Sequence, residues 1–329
     1  MTVKKTVYQV LRDTCQHKSE RRIVRQIRSD LDGYAEKTID LVENGFIPNK
    51  PKRFVRRDAN NGKERDICSI PLWPDQALHR LAIEVAKDPL TKGMDPFCVG
   101  CVPGRGCNAG LDAVRRFVED NKEKKIYALK FDLRHFYESI DKEILFSKLE
   151  KRIKDKFYLA FLWNLLSVKE KGLAIGVYSS PWLGNFYLQD IDHEIREKHK
   201  IRFLCRNVDD FVLMDFNKRK LKKCLEEVRE SLKKLNLTIK DDWRLFPLSE
   251  GDIDFVGYRI HANGAVTIRK RNWKRLRRDC LVAMHHSLSQ KRARSLLSRM
   301  GYAMHSNGRK IFREYLTSGT IKLAKKKAK

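Results

Sequence analysis

Two acidic sites draw attention because each closes or interrupts an apolar run. Asp132 ends the run that begins at Ile126, and Asp209-Asp210 separate residues 201–205 from the second run, 211–214. The latter pattern reads as strand, tight turn, strand, with two carboxylates at the tip. An Asp pair there is also ordinary turn chemistry, so neither site is diagnostic alone. They lie 209 − 132 = 77 positions apart, and adjacent strands of one sheet bring such sites side by side. Three carboxylates at close quarters repel one another and desolvate badly unless a cation holds them. Hard oxygen donors suit Mg²⁺, with Mn²⁺ the alternative, rather than zinc. Two such ions, about 3.5–4 Å apart, clamp the attacking and leaving oxygens in phosphoryl transfer. The expected chemistry is metal-assisted polymerisation or cleavage of nucleic acid.

The elements that must position these acids show as periodicity. Residues 1–50 carry apolar positions at helical spacing, Val7, Val10 and Leu11, then Val24, Ile27 and Leu31. Pro48, Pro51 and Asn60-Asn61-Gly62 break the chain before a short strand over 66–70 and a helix from Gln76 to about Val85. Residues 98–107 read as a loop, 111–118 as a helix, and 126–133 as a strand. Residues 141–168, 180–197 and 218–235 are expected helices, with a short strand near 237–239. Residues 255–260 read as a strand joined through Asn263-Gly264 to 265–268, a strong hairpin signal. Beyond it Trp273, Leu276, Cys280, Met284 and Leu288 form one helical stripe, while Lys274, Arg275, Arg277 and Arg278 mostly face elsewhere. Residues 296–304 and 311–316 extend this into a small basic helical bundle.

The chain of 329 residues has 70 Lys and Arg against 42 Asp and Glu, a net charge of +28. Residues 261–329 hold 19 Lys and Arg against Asp279 and Glu314, a surplus of +17 that is more than half of the total. Such density is the footprint of a polyanion partner, because a merely solvated face mixes both signs. The final KLAKKKAK is expected to be a frayed tether. A 42% hydrophobic content excludes wholesale disorder. No stretch approaches the roughly 18 apolar residues of a membrane span. The start MTVKKTVYQVLRD lacks the apolar core of a signal peptide, so a cytoplasmic location without membrane contact is expected. The eight scattered cysteines fit reduced thiols. Cys98-x-x-Cys101 with Cys107 is a weak zinc signal, since a second ligand pair is missing.

Six segments resemble bacterial reverse transcriptases, including group II intron, diversity-generating and phage-defence members. FDLRHFYESID is similar to the first catalytic motif, GLAIGVYSSPWLGNFYL to the substrate loop, and RNVDDFVLM to the Asp-Asp hairpin. PLSEGDIDFVGYRI with the basic helices after it resembles the strand pair and thumb. IPLWPDQALHRL and VGCVPGRGCNAG resemble finger motifs. The likeness runs from about Lys63 to the end, and its specificity lies in the order of the six.

The resemblance implies an α/β (α+β) right-hand polymerase fold with fingers, palm sheet and helical thumb. Residues 1–120 would be fingers with an N-terminal helical extension, 121–260 the catalytic palm, and 261–329 a basic helical thumb with a Lys-rich tail. It makes Asp132 and Asp209 the principal ligands of two ions, with Asp210 supporting and the Leu133 carbonyl completing one sphere. Tyr137 matches the aromatic gate that clashes with a ribose 2′-OH. Ile175 and Gly176 would lie against the dNTP, glycine permitting close backbone approach. Lys63, Arg65 and Arg105 are candidate triphosphate cations, with ordinary surface charge as the alternative. Lys274, Arg275, Arg277 and Arg278 are the candidate nucleic-acid contacts. Implied partners are an RNA template, a dedicated non-coding RNA in a defence enzyme, with DNA primer and product, dNTPs, and an accessory protein or second copy.

Departures carry information too. Ile175 stands where many relatives have Gln, which suggests relaxed base selection. Asn207 replaces the usual aromatic before the Asp pair, which bears on primer positioning. A Val-Thr-Gly thumb signature is missing, which argues against a retron enzyme. No room is expected after the thumb for an RNase H or DNA endonuclease domain. The leading expectation is an RNA-templated DNA polymerase in phage defence. The rivals are a diversity-generating enzyme, a template-independent transferase or RNA replicase, and a non-catalytic RNA-binding module. Tyr137 opposes the replicase, and retention of three Asp residues opposes the module.

Overall fold

The computed structural model describes residues 3–16, 18, 21–57, 62, 64–285 and 288–328. Helices α1 (Val3–Thr14), α2 (Arg22–Ser29) and α3 (Leu31–Glu43) precede strands β1 (Lys52–Arg57) and β2 (Glu64–Ser69). Helices α4 (Ala77–Thr91) and α5 (Cys107–Asp120) lead to β3 (Tyr127–Asp132). Then come α6 (Phe136–Ser139), α7 (Lys142–Arg152), α8 (Lys156–Leu166), α9 (Ser179–Tyr187) and α10 (Gln189–His193). Strands β4 (Phe203–Asn207) and β5 (Asp210–Asp215), helix α11 (Lys218–Lys234) and strand β6 (Arg244–Pro247) follow. The chain closes with β7 (Ile253–Phe255), β8 (Tyr258–Ile260), β9 (Val266–Ile268), α12 (Lys270–His285), α13 (Gln290–Met304), α14 (Arg309–Glu314) and α15 (Ser318–Ala328). These elements form two discontinuous compact units. The first takes residues 1–96, 133–194 and 228–239; the second takes 97–132, 195–227 and 240–329.

In the first unit the apolar spacing of α1 and α2 works as expected: Val7, Val10, Leu11, Val24 and Ile27 are buried together with Leu72, Ala77 and Leu81. Helix α4 packs on α9, where buried His79 Nδ1 lies 2.9 Å from Ser179 Oγ. The expected helical stretch 141–168 is two helices. Asp155 accepts from the Tyr158 amide and starts α8 afresh, as Asp141 does for α7. Strand β1, antiparallel to β2, is invisible in the sequence because KRFVRR is exposed throughout and shows no apolar alternation. Residues 237–239 supply only an isolated bridge, Ile239 to Leu133, and not a strand.

The second unit is built on an antiparallel sheet in the order β4-β5-β3-β6. Pairing at period two puts Ala128, Val212, Met214 and Cys205 on one face, in a core shared with α5 residues Leu111, Val114 and Val118. On the opposite face Phe131 stacks on Phe211, centroids 4.6 Å apart and planes 14° from parallel. Strand β6 pairs with β3, although its four residues carry no strand signal of their own. The expected single strand over 255–260 is broken by Val256 (φ 43°) and Gly257 (φ 94°), so β7 and β8 form a hairpin. A side chain at Gly257 would place Cβ 2.6 Å from the Tyr302 ring.

Helices α12, α13 and α15 bury Leu276, Cys280, Leu288, Ala293, Leu296 and Ala324 in one core. Met284, expected on that stripe, is 44% exposed. The lysine-rich end is helix α15 rather than a frayed tail, because Thr320 and Ala324 fall one turn apart and both are buried. All eight cysteines are free thiols. No helix among the described residues is long and apolar enough to cross a membrane.

Candidate active site

Antiparallel pairing of β3 with β5 sets Asp132 directly opposite Asp210. Directly opposed residues project from the same face of a sheet, and like charges there are destabilising. Two lysines offset that repulsion. Lys130 lies two residues before Asp132 and so on the same face; its ammonium contacts Asp210 and lies 3.8 Å from Asp132 Oδ2. Lys240 donates from Nζ to Asp132 Oδ1 at 3.0 Å, while its amide donates to the Asp132 carbonyl at 2.9 Å. Burial pushes the Asp210 carboxyl up to about 7; Lys130 pulls it back, and Asp132 and Asp209 add to the rise. Burial pulls the Lys130 ammonium down, but Asp210 and Asp132 outweigh it and leave it raised. Sequence reasoning missed both lysines. For Lys130 a signal exists, since a cation at i−2 in a strand shares the acid's face.

Asp209 occupies the two-residue turn between β4 and β5 with Val208. Val208 has φ 61°, a left-handed conformation that a β-branched residue rarely adopts. The segment before α5 brackets this turn. The Arg206 amide donates to the Phe97 carbonyl at 2.9 Å and the Val99 amide to the Arg206 carbonyl at 2.8 Å. Arg206 is fully buried; its Nη1 donates to the Val208 carbonyl at 2.9 Å, and its guanidinium sits 5.6 Å from the Phe211 ring centre. Gly100 lies so close that a Cβ there would be 2.5 Å from the Val208 amide nitrogen. The sequence signal for Arg206 is a lone cation inside an apolar strand, FLCRN.

Asp132 and Asp210 thus offer hard oxygen donors at one end of the sheet, with ammonium groups already balancing their charge, and Asp209 lies in the adjoining turn, although the three carboxylates do not gather as one metal-ligand group. That donor set fits Mg²⁺ or Mn²⁺. Leu133 is buried in the first unit, paired with Ile239. Tyr137 is half-buried in α6, its carbonyl accepting from the Leu173 amide at 2.7 Å. Ile175 and Gly176 pack on β2. The Ile175 carbonyl accepts from the Cys68 amide at 2.8 Å, and Gly176 has φ 102° with its carbonyl held by Gln76 Nε2 at 2.9 Å. A Cβ at Gly176 would meet the Cys68 carbonyl at 2.6 Å, so backbone packing alone requires glycine there.

Of the expected triphosphate cations, Lys63 lies outside the described residues. Arg65 is exposed on β2 opposite Arg56, in the first unit. Arg105 belongs to the second unit and donates to the Cys98 carbonyl at 3.2 Å. The sulfurs of Cys98, Cys101 and Cys107 do not gather as a metal-ligand group. On α12, Lys274, Arg277 and Arg278 line one groove with Lys270. Arg275 does not line it; helical rotation carries it off that face, and its Nη1 is buried without a hydrogen-bond partner among the described residues.

No curated protein shows significant sequence similarity to the chain. Among solved structures it is similar to apo telomerase from Candida tropicalis (TM-score 0.53, 13% identity, 91% of this chain and 62% of that one). It is likewise similar to telomerase from Candida albicans in complex with a TWJ fragment of telomeric RNA (TM-score 0.52, 13% identity, 89% and 58%). A third is C. tropicalis apo telomerase truncated of its C-terminal domain (TM-score 0.52, 16% identity, 73% and 60%). The chain spans about three fifths of the length of these structures. At such identities the likeness shows the fold, a mixed helix-and-sheet right-hand polymerase. The profile of the family "Reverse transcriptase (RNA-dependent DNA polymerase)" matches residues 47–260, which include all three aspartates and both lysines of the site. The chain belongs to the reverse transcriptase family.

Proposed function

We propose that the chain is an RNA-directed DNA polymerase that extends a primer 3′ end with dNTPs. The carrying observation is the opposed pair Asp132 and Asp210, with Asp209 in the adjoining turn and Lys130 and Lys240 as counter-charges. The three carboxylates would hold two Mg²⁺ or Mn²⁺ ions, which when bound supply charge neutralisation at the reacting oxygens. The primer 3′-oxygen forms a bond to the α-phosphorus of the dNTP while the bond to the β-phosphate oxygen breaks and pyrophosphate leaves. Lys130 and Lys240 hold the carboxylates in place, and the Val208-Asp209 turn fixes the third. Tyr137 serves as the sugar gate and Arg105 as a triphosphate cation. In this reading residues 1–120 are fingers, 121–260 the palm and 261–329 a thumb that grips template and product by phosphate contacts.

The template proposed is a dedicated non-coding RNA, in a phage-defence setting. The telomerase structures offer a parallel in that one holds a fragment of telomeric RNA. Ile175, an apolar residue in the substrate loop, favours a second reading, error-prone synthesis in a diversity-generating system. Primer extension on matched RNA and DNA templates, and without template, tests the proposal. Extension that follows the RNA sequence supports it; equal addition without template overturns it in favour of a transferase. Sequencing RNA that copurifies with the chain then separates the two settings, since a template repeat of a variable gene marks diversification.

A further inference from the structure

Helices α12 and α14 enclose a groove of about 820 Å³ in the second unit. That lies within the roughly 300–1,000 Å³ of small-ligand sites, room for a nucleotide or two but not for a double helix. Its aromatic lining is Trp273 and Tyr315, rings edge to face at 5.4 Å, both half-buried. Its rim carries Lys270, Lys274 and Arg278, which make no ion pair among the described residues, and Lys310. Arg277 is engaged differently: Nε donates to the Tyr315 hydroxyl at 3.1 Å and the guanidinium sits 5.6 Å from the ring centre, fixing that ring. The one acid in the lining, Glu314, lies 3.6 Å from Lys310.

We propose that this groove seats an unpaired nucleotide of a single-stranded RNA segment, its base against Trp273 and Tyr315 and its flanking phosphates on Lys274, Arg278 and Lys310. Aromatic rings set beside the unpaired Lys274 and Arg278 match a base joined to phosphates, which is how sequence-tolerant single-strand sites are built. Bases inside a duplex are stacked on each other and offer no free face to an aromatic ring, so the rings confer selectivity for unpaired strands. An acidic peptide would satisfy the cations but leave both rings without a partner. The ligand class rests on the polymerase reading, whereas the groove is tested by binding alone.

The experiment measures binding of the full chain, without dNTPs, to a fluorescent 12-nucleotide single-stranded RNA and to a blunt RNA duplex of equal length. Trp273→Leu should weaken the single strand by about 5- to 150-fold, the equivalent of losing one base stack, and the duplex by less than about twofold. Trp273→Phe, which keeps a ring, should recover most of the affinity. Exchanging Lys274 and Arg278 together for Gln should flatten the log–log salt slope of single-strand binding by about 0.7 for each phosphate no longer neutralised. If Trp273→Leu fails to fold, Tyr315→Leu is read in the same assay with the same expectation. Equal losses for both RNAs, no loss for either, or competition by poly-glutamate as strong as by RNA would overturn the proposal. Failure of nucleotide incorporation would leave these binding results standing, and failure of the binding pattern would leave the polymerase reading untouched.

Discussion

Replacing Gly100 by alanine should cripple the enzyme from outside its carboxylates. The new Cβ would lie 2.5 Å from the Val208 nitrogen, 2.6 Å from Val208 Cγ2 and 3.0 Å from Asn207 Oδ1, against 3.4 Å for ordinary contact. Relief requires a shift of 3.4 − 2.5 = 0.9 Å, and the obstacle is backbone, which cannot swing aside like a side-chain end. Val208 is already left-handed and precedes Asp209, so the displacement passes directly to an acid of the site. A misplacement of about 1 Å costs on the order of 10²-fold in rate, and overpacking costs about 1–3 kcal/mol of stability. The assay is single-turnover dNTP incorporation at saturating substrate, with denaturant unfolding alongside. Gly301→Ala is the control: nothing lies within 4 Å of its Cβ position, in the last turn of α13. That variant should gain about 0.5–1 kcal/mol and keep its rate. A Gly100→Ala enzyme within about threefold of the parent rate, with unchanged unfolding, would refute the idea that segment 97–100 holds the catalytic turn.

Arg206→Met should cost about 1–2 kcal/mol, because the part-buried Val208 carbonyl loses a charged donor, and incorporation should fall with it; an unchanged unfolding midpoint would show that the turn is held elsewhere. Tyr137→Ala should raise the ratio of rNTP to dNTP incorporation, and a constant ratio would place sugar selection in another residue. Burial lowers the His79 pKa to about 3, so the unfolded chain binds a proton below about pH 6.5 that the folded chain refuses. Stability should therefore fall on acidification from about pH 6.5, by at most about 1.4 kcal/mol per pH unit from this group. His79→Gln should flatten that slope in urea unfolding; an unaltered slope would mean the imidazole titrates normally.

The carboxylate site is legible in the sequence because its signals are local: an acid ending an apolar strand, and two acids splitting a pair of strands. The meeting of Asp132 with Asp210 follows from sheet pairing, and β3 with β5 supplies it; Asp209 is placed only as their neighbour in the turn. The cations at the site are harder. Lys130 is readable from strand parity, but Lys240 reaches Asp132 from 108 residues away and nothing in TIKDDW announces it. Strand β1 is hidden because its residues face solvent on both sides, so burial imposes no alternation. The tail misleads because lysines dominate its composition, while α15 needs only small residues one turn apart to pack. Arg275 groups with its neighbours by proximity in sequence, whereas a helix sorts residues by 100° steps.

The most direct test of the polymerase reading is Asp209→Asn, assayed for Mg²⁺-dependent dNTP incorporation on a primed RNA together with RNA affinity and thermal unfolding. Asparagine keeps the size of the side chain and removes its charge. Incorporation should fall by about 10³-fold or more, because transition-state charge loses an anionic ligand for its ion. RNA affinity and unfolding should stay close to the parent, since the basic surfaces and the core are untouched. Incorporation within about tenfold of the parent, with its Mg²⁺ dependence intact, would contradict the assignment of Asp132, Asp209 and Asp210 as the catalytic centre.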